Sequence, residues 1–69
     1  MKISARNVFK GKVIQITEGA VNSEVIIELQ GGIKMASVIT KESVKNLGLQ
    51  VGKEAYSIVK ASNVLVAVE

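Results

Sequence analysis

Two short segments carry side chains suited to holding an anion. Ser4-Ala5-Arg6-Asn7 lies near the N-terminus and Lys60-Ala61-Ser62-Asn63 near the C-terminus. Each sets a cation beside a hydroxyl and an amide within four residues, and neither contains an acidic residue. An oxyanion that is fully ionised at neutral pH only accepts hydrogen bonds. Its site must therefore offer N–H, O–H, guanidinium or ammonium donors and exclude carboxylates. The small Ala in each segment lets backbone N–H groups approach such a ligand closely. Arg6 is the only Arg in a chain that otherwise uses Lys, and its planar fork suits an oxyanion. Ser, Asn and Lys at strand ends are also ordinary turn chemistry, and Arg6 could instead serve a salt bridge. Residue types alone leave both readings open.

Other chemistry is poorly supplied. His and Cys are absent, and every acidic residue is a Glu: Glu18, Glu24, Glu28, Glu42, Glu54 and Glu69. Catalysis needs groups that move protons or attack carbon or phosphorus. A lone Lys or Ser nucleophile would have no evident partner base, so the expectation is a protein that is not an enzyme. A bare metal cation is not expected either. Zinc is held by Cys, His and carboxylates, and these scattered glutamates do not resemble a calcium loop. Binding of single-stranded nucleic acid uses aromatic platforms in a basic groove. Here only Phe9 and Tyr56 are aromatic, and Phe9 suits a core position better than a platform. The net charge of +3 favours anionic partners only weakly.

Positioning the two segments falls to strands. The apolar pattern alternates over Val8–Ile16, with Lys10 and Lys12 sharing a face with Val8 and Ile14. It continues as strands over Val25–Leu29 and Ile33–Ile39, separated by a Gln30-Gly31-Gly32 turn in which adjacent glycines tolerate positive φ. At Thr40 the pattern becomes helical. Thr40 can cap a free N–H, Glu42 sits in the first turn, Val44 and Leu47 share a face, and Gly48 ends the helix. Two further strands are expected over Ala55–Lys60 and Asn63–Val68. This β-β-β-α-β-β order predicts an all-β fold with one short helix, a five-stranded OB-like Greek-key barrel. The 69 residues make a single domain, 1–69.

A domain this small is marginal alone. Disulfides are impossible without Cys, while 48 % of residues are hydrophobic. Some apolar surface is therefore expected between subunits, where obligate interfaces resemble a core cut in half. The Met1–Phe9 stretch is too polar for a signal peptide, no apolar run reaches the ~20 residues of a membrane helix, and the lack of Cys fits the cytoplasm.

The two donor segments, taken together with the residues between them, closely resemble the molbindin family, small proteins first described as molybdenum-pterin-binding proteins. The similarity runs through Ser4-Ala5-Arg6-Asn7, Gly11-Lys12-Val13, Ile39-Thr40-Lys41-Glu42-Ser43, Leu47-Gly48-Leu49, Val51-Gly52-Lys53 and Val59-Lys60-Ala61-Ser62. It spans essentially the whole chain. The resemblance implies an OB-like fold and a homo-hexamer built as a trimer of dimers. It also implies binding of molybdate, and of tungstate as its analogue, at subunit interfaces. A chain of this length has no room for the DNA-binding or ATPase domains that carry the same module elsewhere, so the implied role is free-standing molybdenum storage or homeostasis.

The family pattern puts one oxyanion site on Ser4, Ala5 and Arg6, with Lys60, Ala61 and Ser62 supplied across an interface. Asn7 and Asn63 suit holding the loops. Gly19, Ala20 and Thr40 are candidates for a second site, although a helix cap is the stronger reading of Thr40. A molybdenum-pterin ligand is the alternative, less favoured because ring platforms are scarce. A nucleic-acid-binding OB module is the other. Neither a nucleic acid nor a membrane is expected as a partner.

Overall fold

In the computed structural model, which describes residues 1–69, four strands and one helix follow in the order β1 (Asn7–Glu18), β2 (Asn22–Leu29), β3 (Lys34–Thr40), α1 (Lys41–Asn46) and β4 (Glu54–Val59). Short 3-10 turns occupy Gln30–Gly32 and Ala61–Asn63. The strands form one antiparallel sheet in the order β3-β2-β1-β4. β1 is long because it serves two partners: Asn7–Lys12 pairs with β4, and Gly11–Glu18 pairs with β2. Only Gly11 and Lys12 pair on both sides, so the sheet curls into a half-barrel around that point.

Two local features make the curl possible. A Cβ on Gly11 would lie 2.5 Å from the Glu28 carbonyl oxygen, so glycine alone permits the close approach of β1 and β2. A bulge between Val13 and Gln15 then shifts the register. Without it, Val13 and Ile16 would fall on opposite faces; the extra residue brings both to the inner face, with Ile16 opposite the buried Val25. The simple alternation expected across Val8–Ile16 breaks at this bulge.

The β2–β3 turn is as expected, with Gly31 and Gly32 both at φ +84°. The helix start also holds: the Ser43 N–H donates to the Thr40 hydroxyl oxygen at 3.0 Å. At the other end, the Lys53 ammonium donates to the Leu47 and Gly48 carbonyls at 3.2 and 3.1 Å, satisfying orphaned acceptors. Val44 is buried from this helix, whereas Leu47, expected on the same inward face, is exposed at its C-cap.

The core is small: Val13, Val25, Ile27 and Val44, with Ile16, Leu29, Ile39, Leu49 and Ala55 packed against it. Ser23 is also buried, and its hydroxyl has no hydrogen-bond partner. Phe9, expected in the core, is 41 % exposed.

The fifth strand expected over Asn63–Val68 does not form. The backbone leaves the Ala61–Asn63 turn in an extended conformation at Val64 (φ −92°, ψ 123°), but no strand edge of the same chain meets it. Extended conformation becomes a strand only when a neighbour accepts and donates its backbone hydrogen bonds. Apolar periodicity reports the first property and not the second. The result is a four-stranded half-barrel rather than a closed five-stranded barrel. Its open concave side is an apolar groove of about 380 Å³, lined by residues including Val25, Ile27, Ile39, Leu49, Ala55 and Ile58. Leu65, Val66 and Val68 remain almost fully exposed.

Candidate functional site

Antiparallel pairing of β1 with β4 places the two donor segments together. Asn7↔Val59 is the last register pair of this ladder. Arg6 immediately precedes Asn7 and Lys60 immediately follows Val59, so the chain enters β1 and leaves β4 at the same end of the sheet. Beyond that pair the segments diverge and flank an open cleft of about 390 Å³, lined by Ile3, Ser4, Ala5, Arg6, Lys60, Ala61 and Ser62. All six residues singled out in the sequence for the first site line this one cleft. Within one chain the two segments already flank the same cleft.

The cleft is a set of uncommitted donors. Arg6 and Lys60 form no ion pair, since the salt bridges of the chain are Lys10–Glu54 and Lys41–Glu18. No carboxylate is among the lining residues. The backbone N–H groups of Ser4, Ala5, Arg6, Lys60, Ala61 and Ser62 donate to no acceptor within the chain. The 3-10 turn explains this at the C-terminal wall. Asn63 N–H donates to the Lys60 carbonyl at 2.9 Å and Val64 N–H to the Ala61 carbonyl at 3.2 Å, which leaves the first N–H groups of the turn free. Two cations, two hydroxyls and several free N–H groups around one concavity can hold a small, fully ionised oxyanion. The salt-bridge reading of Arg6 has no partner in this chain. Ile3 is a wall residue that residue chemistry did not single out, because an aliphatic side chain next to Ser4 carries no signal of its own.

The candidates for a second site fare differently. The Thr40 hydroxyl is committed to α1, accepting from the Ser43 N–H and donating to the Ser43 hydroxyl at 2.7 Å. Gly19 N–H donates to the Asn22 carbonyl at 2.8 Å, closing the turn that carries Ala20. A concavity close to these residues is lined by Glu18, Lys41, Lys45, Gly48 and Gln50. Its Glu18 carboxylate lies 3.8 Å from Lys41, which partly neutralises the cation there.

An aromatic platform is also missing. Phe9 stands opposite Ser57 and Tyr56 opposite Lys10, which puts the two rings on opposite faces of the sheet.

Residues 3–66 match the family model described as the TOBE domain. The chain belongs to the TOBE-domain family. This TOBE domain is 54 % identical over 69 residues to a probable molybdenum-pterin-binding protein of Haemophilus influenzae, covering all of both chains. It superposes on MopII from Clostridium pasteurianum with a TM-score of 0.92 and 42 % identity, covering 97 % of this chain and 100 % of that one. It also superposes on ModG, described as a cytoplasmic molybdate-binding protein and solved with molybdate bound. There the TM-score is 0.91 and the identity 49 %, over 94 % of this chain and 46 % of that one. The molbindin resemblance and the mostly-β, one-helix architecture both stand, with four strands in place of five. No helix of the TOBE domain is long and apolar enough to cross a membrane.

Proposed function

We propose that this TOBE domain binds molybdate, and tungstate as its analogue, in the cleft between Ser4–Arg6 and Lys60–Ser62, as a cytoplasmic molybdenum storage or homeostasis protein and not as an enzyme. The observation that carries this is the cleft itself: two cations without ion-pair partners, free N–H groups on both walls and no carboxylate. Relatives named for molybdenum binding, one of them with molybdate bound, support the choice of ligand. Arg6 and Lys60 balance the charge of the dianion. The Ser4 and Ser62 hydroxyls donate to its oxygens, and the backbone N–H groups of Ala5 and Ala61 complete the cage. The metal arrives inside its own oxygen shell, so the lack of His and Cys is no obstacle.

The domain works as an assembly of copies, with the hexamer as the expected size. Support comes from the apolar tail and the open apolar groove of the half-barrel, which together leave too much hydrophobic surface for an isolated chain. The cleft opens at the root of that tail, so a neighbouring copy lies close enough to add donors to it.

A molybdenum-pterin compound is the second reading, favoured by the names of the relatives. Isothermal titration with molybdate, followed by competition with tungstate, tests the first reading: saturable heat is expected, and the absence of both heat and retention in dialysis would sink it. Native mass spectrometry of protein purified from cells separates the two, since a pterin adds its own mass.

A further inference from the structure

The two walls of the cleft have little structure of their own. Residues 4–6 lie outside any element, and the opposite wall is a single 3-10 turn. Their spacing must therefore be set at the root, where β1 and β4 part. The ladder ends there on the Asn7↔Val59 backbone pair, and one side chain reinforces it. The Asn7 amide nitrogen donates to the Val59 carbonyl at 3.3 Å, in a partly buried position, and joins residues 52 apart in sequence. Among the side-chain hydrogen bonds of the chain, no other spans so great a separation. Its two ends are the immediate neighbours of Arg6 and Lys60.

Resting on the oxyanion reading of this cleft, we propose that Asn7 is a positioning residue: by tying Val59 across the fork between β1 and β4, it sets the width of the cleft and with it the preference for molybdate over the smaller sulfate. Sulfate has the same charge and tetrahedral shape as molybdate, so donor chemistry cannot separate them. Size can, provided the walls keep their spacing. Two facing cations repel each other when the cleft is empty, and they draw inward around whatever dianion enters. Walls free to follow either force would fit themselves to each ion in turn. A tie at the fork resists both movements, and its partial burial strengthens it relative to a solvent-exposed bond. The cleft is then preorganised for one ionic radius, as binding sites must be to discriminate.

The test measures molybdate and sulfate affinities by competitive equilibrium dialysis on wild-type protein, Asn7→Leu and Asn7→Gln. Leu keeps the volume and loses the donor; Gln keeps the amide donor. The expected result for Asn7→Leu is molybdate binding about 10-fold weaker, with the molybdate-to-sulfate ratio reduced at least threefold. Asn7→Gln restores most of that ratio. Equal losses for both anions would show a merely structural role and overturn the proposal, as would wild-type affinities in Asn7→Leu. If wild-type protein retains neither anion, the oxyanion reading itself fails. Should Asn7→Leu not fold, the side-chain amide resonances of Asn7 in the wild-type protein decide: slower hydrogen exchange with molybdate bound than with sulfate bound supports the tie, and equal exchange overturns it.

Discussion

Replacing Leu65 by Ser would test whether the exposed tail holds copies of this TOBE domain together. Leu65, Val66 and Val68 are 93 %, 90 % and 93 % exposed in the single chain, and Val64 is half exposed. Fully burying a Leu side chain is worth roughly 1.5–3 kcal/mol. Serine forfeits most of that gain and brings a hydroxyl into apolar surroundings. Between two copies related by a two-fold axis the same contact occurs twice, so the loss is about 3–6 kcal/mol per pair. That corresponds to association weakened by roughly a hundredfold to ten-thousandfold. Sedimentation velocity over a range of micromolar protein concentrations reads it directly. Wild-type protein is expected to sediment as one assembly and Leu65→Ser as smaller species at the low end of the range. The reasoning is refuted if the variant sediments like wild type throughout, or if wild-type protein is itself monomeric.

Four further substitutions probe separate parts of the account. Arg6→Ala and Lys60→Ala should each weaken molybdate binding by roughly 10- to 150-fold, the worth of a hydrogen bond to a charged group, with far-ultraviolet circular dichroism unchanged; full affinity in both would move the site elsewhere. Gly11→Ala places a methyl group 2.5 Å from the Glu28 carbonyl oxygen, so urea denaturation should show a loss of about 1–3 kcal/mol; an unchanged midpoint would mean that β1 and β2 separate freely. Ser23→Ala removes a buried hydroxyl that has no partner and should raise stability by about 1 kcal/mol; a loss of stability would reveal a partner for that hydroxyl.

Much of the fold could be read from local rules. Thr40 caps α1 as its position before Lys41-Glu42-Ser43 suggests, and Gly31-Gly32 turns β2 into β3. What escaped depended on relations between distant residues. The bulge after Val13 follows from facing Val13 and Ile16 toward one core, which alternation within a single strand does not reveal. Val64–Val68 has the composition of a strand, but composition does not say whose edge it joins. The donor segments were visible as residue types, and the pairing Asn7↔Val59 explains why they meet within one chain. That pairing is a matter of register, and register has no local signature in either segment.

The central claim is that an oxyanion sits between Ser4–Arg6 and Lys60–Ser62. Crystals grown with tungstate test it most directly, because tungsten scatters anomalously and can be located without a model of the ligand. The account predicts an anomalous peak in this cleft, with its oxygens within hydrogen-bond reach of Arg6, Lys60 and the Ser4 and Ser62 hydroxyls. No peak there, or a peak only beside Lys41 and Lys45 at the other end of the sheet, would contradict it.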